Sequence, residues 1–269
     1  MIRNKKLFAI LTLVCFMFTL MPVAAMASDS VIDTEAELKA AIEKGGEVVL
    51  GGDITLTETT TSGSLQPGAA MIINKALTID GAGHTITITS TAGSRGFAII
   101  NTTDVQFKNA KIISNVADGR CIDTRTKVNV TLDNVTLEAT GGNSQPLTIG
   151  GSTNGTSVTL NNTDINAGSS GYPIISFVKA DIDILSGSDL AGYCAVYFRP
   201  GSDGSTLDVK NSSLTGKNIH SGTTNAFGSV SSRQNVHFIC KHFMNNTHPA
   251  LTVILSAHSG VANVVFDKA

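Results

Sequence analysis

Four residues have the types and spacing to meet a sugar: Asp123, Arg125, Tyr197 and Arg199. Guanidinium groups pair with carboxylates or sulfates through two parallel hydrogen bonds. A tyrosine ring offers an apolar face with a polar tip. Cleaving a polysaccharide asks for more. A lyase that removes a proton beside a uronate carboxylate needs Ca²⁺ held by several carboxylates, plus an arginine or lysine as base. A glycoside hydrolase needs two carboxylates on one face. One aspartate supplies neither arrangement. The expectation is a ligand-binding set, Asp123, Arg125, Tyr197 and Arg199, with no catalytic residue, no metal site and no cofactor.

Other chemistry-bearing patterns are weaker. Asp181 and Asp183 alternate on one extended stretch and share a side, which suits solubility, with calcium as the alternative. Asp80-Gly81-Ala82-Gly83 has the glycines of a phosphate-cradling loop, but no helix follows, so it reads as a turn between strands. His237, Cys240 and His242 could ligate zinc, yet spacing fixes no fourth ligand and packing in a last coil is the plainer reading. No Ser-His-Asp set can be assembled. Asn109, Asn134, Asn162 and Asn211 recur at turns. Asn tolerates the left-handed conformation, and stacked Asn side chains can hydrogen-bond from layer to layer.

A repeat positions these residues. The phrase apolar-x-apolar-x-Asn-x-x-apolar runs from Val105 to Ile112, Val130 to Leu137, Val158 to Ile165 and Leu207 to Leu214, with a looser copy from Ile182 to Ser186. Its first residues fall at 105, 130, 158, 182 and 207, in steps of 25, 28, 24 and 25. Repeats of this length predict a stacked array. Each supplies a short apolar strand, the recurring strand, and a third after the Asn turn. With no helical pattern between them, three parallel sheets wound as a right-handed β-helix are expected, and a two-sheet sandwich is the rival. Alternation then points Ala98 and Ile100, Ile122 and Thr124, Leu147 and Ile149, Ile175 and Phe177, and Val196 and Phe198 inward. The outward column becomes Ile99, Asp123, Thr148, Ser176 and Tyr197. Beside it run Asn101, Arg125, Gly150, Val178 and Arg199.

The rest of the chain fits an all-β protein. Aromatic residues make up 5% and charged residues 15%, and the net charge is -2, so no nucleic-acid partner is expected. Arg3, Lys5 and Lys6, an apolar run from Leu7 to Leu20, and Ala25-Met26-Ala27 form a secretory leader over 1–27, with a membrane anchor as the alternative. No membrane contact is expected of the mature chain. The segment 28–46 forms an N-terminal cap: Thr34 and Glu37 make a capping box, Leu38, Ala41 and Ile42 a helical stripe, and Gly45 a stop. Residues 47–230 hold the coils, the polar run from Glu58 to Gly68 being a loop. Residues 231–269 form an irregular last coil or a C-terminal cap, truncated relative to a longer parent in the alternative. Cys121 and Cys194 open corresponding strands three coils apart, about 14 Å at the spacing of stacked strands. That exceeds disulfide reach, so both are expected as free thiols, Cys194 inside and Cys121 outside or at a corner.

The cap at Thr34 to Lys44, the segment Leu77-Thr-Ile-Asp-Gly-Ala-Gly-His-Thr-Ile-Thr-Ile88 and the Asn turns at 109, 134, 162 and 211 together resemble the pectate-lyase-like right-handed β-helix superfamily. The resemblance covers about residues 31–230. It implies the fold and leaves activity open, because that fold hosts lyases, hydrolases, esterases, adhesins and inert surface proteins. Arg199-Pro200 departs from the Arg-x-Pro loop of pectate lyases, since the proline follows directly. The expectation is therefore a secreted, monomeric, non-catalytic protein of the cell surface or extracellular space that binds extracellular polysaccharide weakly. A lyase or hydrolase acting on acidic polysaccharide is one alternative, and a fragment of a larger adhesin is another.

Overall fold

The computed structural model describes residues 31–216, apart from 63–64, 152–153, 186, 200 and 203–204, and then the strands His220–Ser221, Phe227–Arg233, His237–Cys240 and Val264–Phe266. The leader expected at 1–27 lies outside the described residues, as do the side chains of His237, Cys240 and His242. No helix among the described residues is long and apolar enough to cross a membrane.

Helix α1 spans Glu35–Lys44. Thr34 Oγ1 accepts the Glu37 amide and the Glu37 carboxylate accepts the Thr34 amide, the reciprocal pair that Thr-x-x-Glu encodes. Gly45 ends the helix at φ 75°, a conformation that an L side chain strains to adopt. Leu38 and Ile42 are buried against the first-coil strands Gly46–Val49, Ile54–Leu56 and Met71–Ile73. The helix thereby covers apolar side chains that an open coil would expose.

The body is a parallel β-helix of about six turns. Strands Met71–Ile73, Arg95–Ile99, Arg120–Thr124, Leu147–Ile149, Ile174–Ser176, Val196–Phe198 and His220–Ser221 stack in parallel as a seven-stranded sheet. The other coil strands form one fifteen-stranded sheet. Three separate sheets were expected, but Asp104–Ser114 and Asn129–Glu138 run unbroken through the Asn turn and join the second and third. Parallel pairing also continues past residue 230. Phe227–Arg233 pairs with Ser205–Lys210, and His237–Cys240 with Ser213–Gly216.

The Asn turns fulfil both of their expected roles. Asn109, Asn134, Asn162 and Asn211 have φ of 50°, 54°, 46° and 46°. Asn162 Nδ2 donates to Asn134 Oδ1 at 2.9 Å, Asn134 Nδ2 to Asn109 Oδ1 at 3.0 Å, and Asn109 Nδ2 to Asp80 Oδ1 at 3.1 Å. The ladder thus begins on a carboxylate. Burial pushes the Asp80 carboxyl up, but the Ala82 amide, Asn109 and Lys108 outweigh it and hold it below its ordinary value. Gly187, at φ 82°, takes the turn position between Asn162 and Asn211, one residue after Ser186 of the looser repeat.

Inside the coils lies one continuous apolar core, and it corrects the register expected for two strands. Phe97 pairs with Ile122 and Ile99 with Thr124, so Phe97 and Ile99 face the core, and Ala98 faces out. Ile174 and Ser176 likewise face in, because they pair with Leu147 and Ile149, and Ile175 faces out. Of the two places expected for Cys121, the outward side is ruled out: it belongs to the core, its thiol donating to the Ile112 and Glu138 carbonyls at 3.5 Å each. Cys121 and Cys194 are both buried, and neither takes part in a disulfide.

One further correction bears on the outer surface. The polar run expected as a loop holds an antiparallel hairpin, Thr60–Ser62 with Leu65–Ala69. Leu65 and Ala69 bury against Ala98 and Ile72, covering the outward side of the seven-stranded sheet at its first two strands. Two apolar contacts within a Thr- and Ser-rich stretch are enough to fold it down, and they are too sparse to show as alternation.

Candidate functional site

The pairing of the seven-stranded sheet fixes three columns on its outward face. The middle one is Ile72, Ala98, Asp123, Thr148, Ile175 and Tyr197. Of the expected column, Asp123, Thr148 and Tyr197 stand as read, whereas Ile99 and Ser176 are internal. The following positions give Ile100, Arg125, Gly150, Phe177 and Arg199, each amide donating to the carbonyl of the previous coil. Phe177 stands where Val178 was expected and Ile100 where Asn101 was. The preceding positions give Arg95, Arg120, Gln145, Tyr172 and Tyr193, by the Arg95–Arg120 pair and the amides of Gln145, Tyr172 and Tyr193.

Two clusters result. The first centres on Asp123, which is 0% exposed. Arg95 Nε donates to its Oδ2 at 2.6 Å and Arg120 Nη1 to the same oxygen at 3.3 Å. Arg125 Nη1 lies 4.0 Å from Oδ1. A buried carboxylate without cationic partners would carry a large desolvation cost, and three guanidiniums offset it. Asp123 Oδ1 and Arg120 Nε are nonetheless buried without a hydrogen-bond partner. Gly150 lets the coils pack closely here: a Cβ on it would come within 3.3 Å of Arg125 Nη1 and 3.6 Å of Asp123 Oδ1.

The second cluster gathers all three tyrosines of the chain. Tyr172 and Tyr197 stack with centroids 5.2 Å apart at 26°, and Tyr193 meets Tyr172 edge-on at 5.9 Å. Burial pushes the Tyr172 hydroxyl above its ordinary pKa, the neighbouring Tyr197 and Tyr193 add to the shift, and Arg199 opposes it. The Arg199 guanidinium lies 4.9 Å from the centre of the Phe177 ring, and the residue is exposed. It forms no ion pair with a carboxylate among the described residues.

The four expected residues therefore share one face without meeting at one point. Asp123 and Arg125 sit together, and Tyr197 and Arg199 sit together. Three coil steps separate the pairs, about 14 Å at the spacing of stacked strands. Sequence reading missed Arg95, Arg120, Tyr172 and Tyr193, which lie at the entry to their strands. Two signals would have found them: Arg95 and Arg120 stand one repeat apart, and Gly-Tyr recurs at 171–172 and 192–193.

The face does not fit the calcium chemistry of a lyase, because its one buried carboxylate is engaged by guanidiniums. Asp181 and Asp183 are exposed on the other sheet, with Thr206 Oγ1 donating to Asp181 at 2.7 Å. Among the described residues no group of three His, Cys, Asp or Glu is placed to hold a metal ion.

Comparison with known proteins gives one match. Residues 31–172 match the family described as "Putative pectate lyase-like adhesive domain". No curated protein and no solved structure matches the chain. The matched segment contains α1, the hairpin, the Asp123 cluster and Tyr172, and it ends before Tyr193, Tyr197 and Arg199. With more than half of its length matched and a parallel β-helix for a fold, the chain belongs to this pectate lyase-like adhesive domain family.

Proposed function

We propose that the protein is an extracellular adhesive module that holds acidic polysaccharide on the outward face of its seven-stranded sheet and does not cleave it. The observation that carries the reading is the gathering of Tyr172, Tyr193 and Tyr197 beside Arg199 and Phe177 on that face. Stacked rings offer flat apolar surface for a sugar ring, and the neighbouring guanidinium supplies charge-assisted hydrogen bonds to a sugar carboxylate. Family membership supports adhesion as the role, and an adhesive role favours the cell surface or the extracellular space. The described face supplies no second carboxylate beside Asp123, which is what cleavage by either carboxylate mechanism would call for.

The test is affinity retention of the full chain on immobilised polygalacturonate, alginate and dextran sulfate, with neutral dextran as control. Retention is expected on a carboxylate-bearing polymer and not on dextran. Arg199→Ala is expected to weaken it about tenfold, the scale of one charge-assisted hydrogen bond. Arg199 reaches out over Phe177, so its removal leaves the core intact. Equal retention of wild type and variant on every polymer would overturn the proposal.

A further inference from the structure

The face has one closed end, and the arginine cluster stands at it. The hairpin Thr60–Ser62 with Leu65–Ala69 lies over the middle column at Ile72 and Ala98. The next position in that column is Asp123. Arg95 ties the two together: its Nη1 donates to the Gly68 carbonyl at 3.2 Å while its Nε holds Asp123. The turn at Ala92–Ser94 packs behind the hairpin. A linear molecule lying along the face from Tyr197 towards Asp123 meets this wall and can go no further.

The wall is chemically distinctive. Three guanidiniums share one carboxylate there, so the cluster keeps a surplus of two positive charges. Arg120 and Arg125 keep 22% and 35% of their side chains exposed, so an incoming group can reach them. The cluster is also incomplete in itself, with Asp123 Oδ1 and Arg120 Nε buried and unpartnered. A sugar carboxylate answers the surplus of positive charge by pairing with the exposed parts of Arg120 and Arg125.

The geometry points to the foot of the hairpin as a subsite for the terminal acidic sugar of a glycan chain, so that the module grips chain ends and not chain interiors. The inference rests on the glycan-binding reading above and specifies which part of the glycan is held. The three coil steps from Asp123 to Tyr197 leave space for the sugars behind the terminal one to lie over the tyrosines.

The test titrates the full chain with the polymer that it retains, intact and after cutting into short oligomers, at equal mass of uronate. End recognition predicts that binding per unit mass rises in proportion to the number of chain ends. Arg125→Ala is expected to lower oligomer affinity about tenfold and to abolish the dependence on ends. Replacing Ser62 to Gly68 by a short glycine turn is expected to restore binding to chain interiors. If that variant does not fold, Arg125→Ala and the length series still decide. Binding per unit mass that does not change with chain length would overturn the subsite and leave the glycan-binding reading standing. Retention of no acidic polymer would overturn both.

Discussion

At the scale of single residues, the Asn ladder is the feature whose energetics are simplest to isolate. Asn134 does two things: it holds a backbone φ of 54°, and it links Asn109 to Asn162 through its side-chain amide. Asn134→Gly keeps the backbone freedom and loses the two hydrogen bonds. Asn134→Ala loses both, adding about 1–2 kcal/mol of left-handed strain to the hydrogen-bond loss. Denaturant unfolding should therefore rank wild type above Gly and Gly above Ala, and an alanine variant as stable as the glycine one would remove strain from the account. The ladder was legible in the sequence because each Asn carries its own turn signal at a fixed step. Arg95, Arg120, Tyr172 and Tyr193 carry fainter signals, the repeat spacing of the arginines and the recurring Gly-Tyr. They stand in polar inserts, and the stacking of coils is what shows that they form a column.

At the scale of elements, α1 was legible almost to the residue, since capping and stripe are local. The first strand of each coil was legible as a strand and not as a register. Phe97-Ala98-Ile99-Ile100 is apolar throughout and Ile174-Ile175-Ser176-Phe177 is broken only by a small buried serine, because Ala98 and Ile175 are buried on the outward side as their neighbours are on the inward one. A strand buried on both faces shows no alternation, so nothing in it says which residue points in. Element pairing also has an electrostatic fault. Asp164 on Asp164–Asn166 sits in register with Asp189 on Asp189–Ala191. Burial raises the Asp164 carboxyl above its ordinary value, and the charge of Asp189 adds to the shift. A carboxyl that holds its proton more tightly when folded costs stability when ionised. That cost is full above the folded pKa and is relieved as pH falls through it. Asp164→Asn should therefore stabilise the fold at neutral pH by no more than about 1 kcal/mol, because the pair is partly screened, and the gain reads out as a higher Tm. The gain should vanish at a pH well below 3.8, the ordinary value of the group. A gain that persists there would assign the effect to something other than charge.

At the scale of the whole molecule, each coil contacts chiefly the coils before and after it, so stability is close to a sum of neighbour terms. Cys121 and Cys194 are natural reporters of that coupling, being buried three coil steps apart. Burial pushes the Cys121 thiol up to about 12, so little reactive thiolate forms while its coil is closed. Peptide-mapped alkylation at pH 8 should leave Cys121 unlabelled in the native protein and label both thiols across a single denaturant midpoint. Labelling of Cys121 without denaturant would contradict its place in the core. The stack has another consequence, for how such a protein can change. Every column takes one residue from each coil, so the coil is a rung, and copying one lengthens the face by a single step. A rung duplicated between Gly150 and Phe177 would move the arginines and the tyrosines apart by one strand spacing while leaving both clusters intact. Length along the axis can then be retuned by gene duplication alone, with no residue at either end having to mutate.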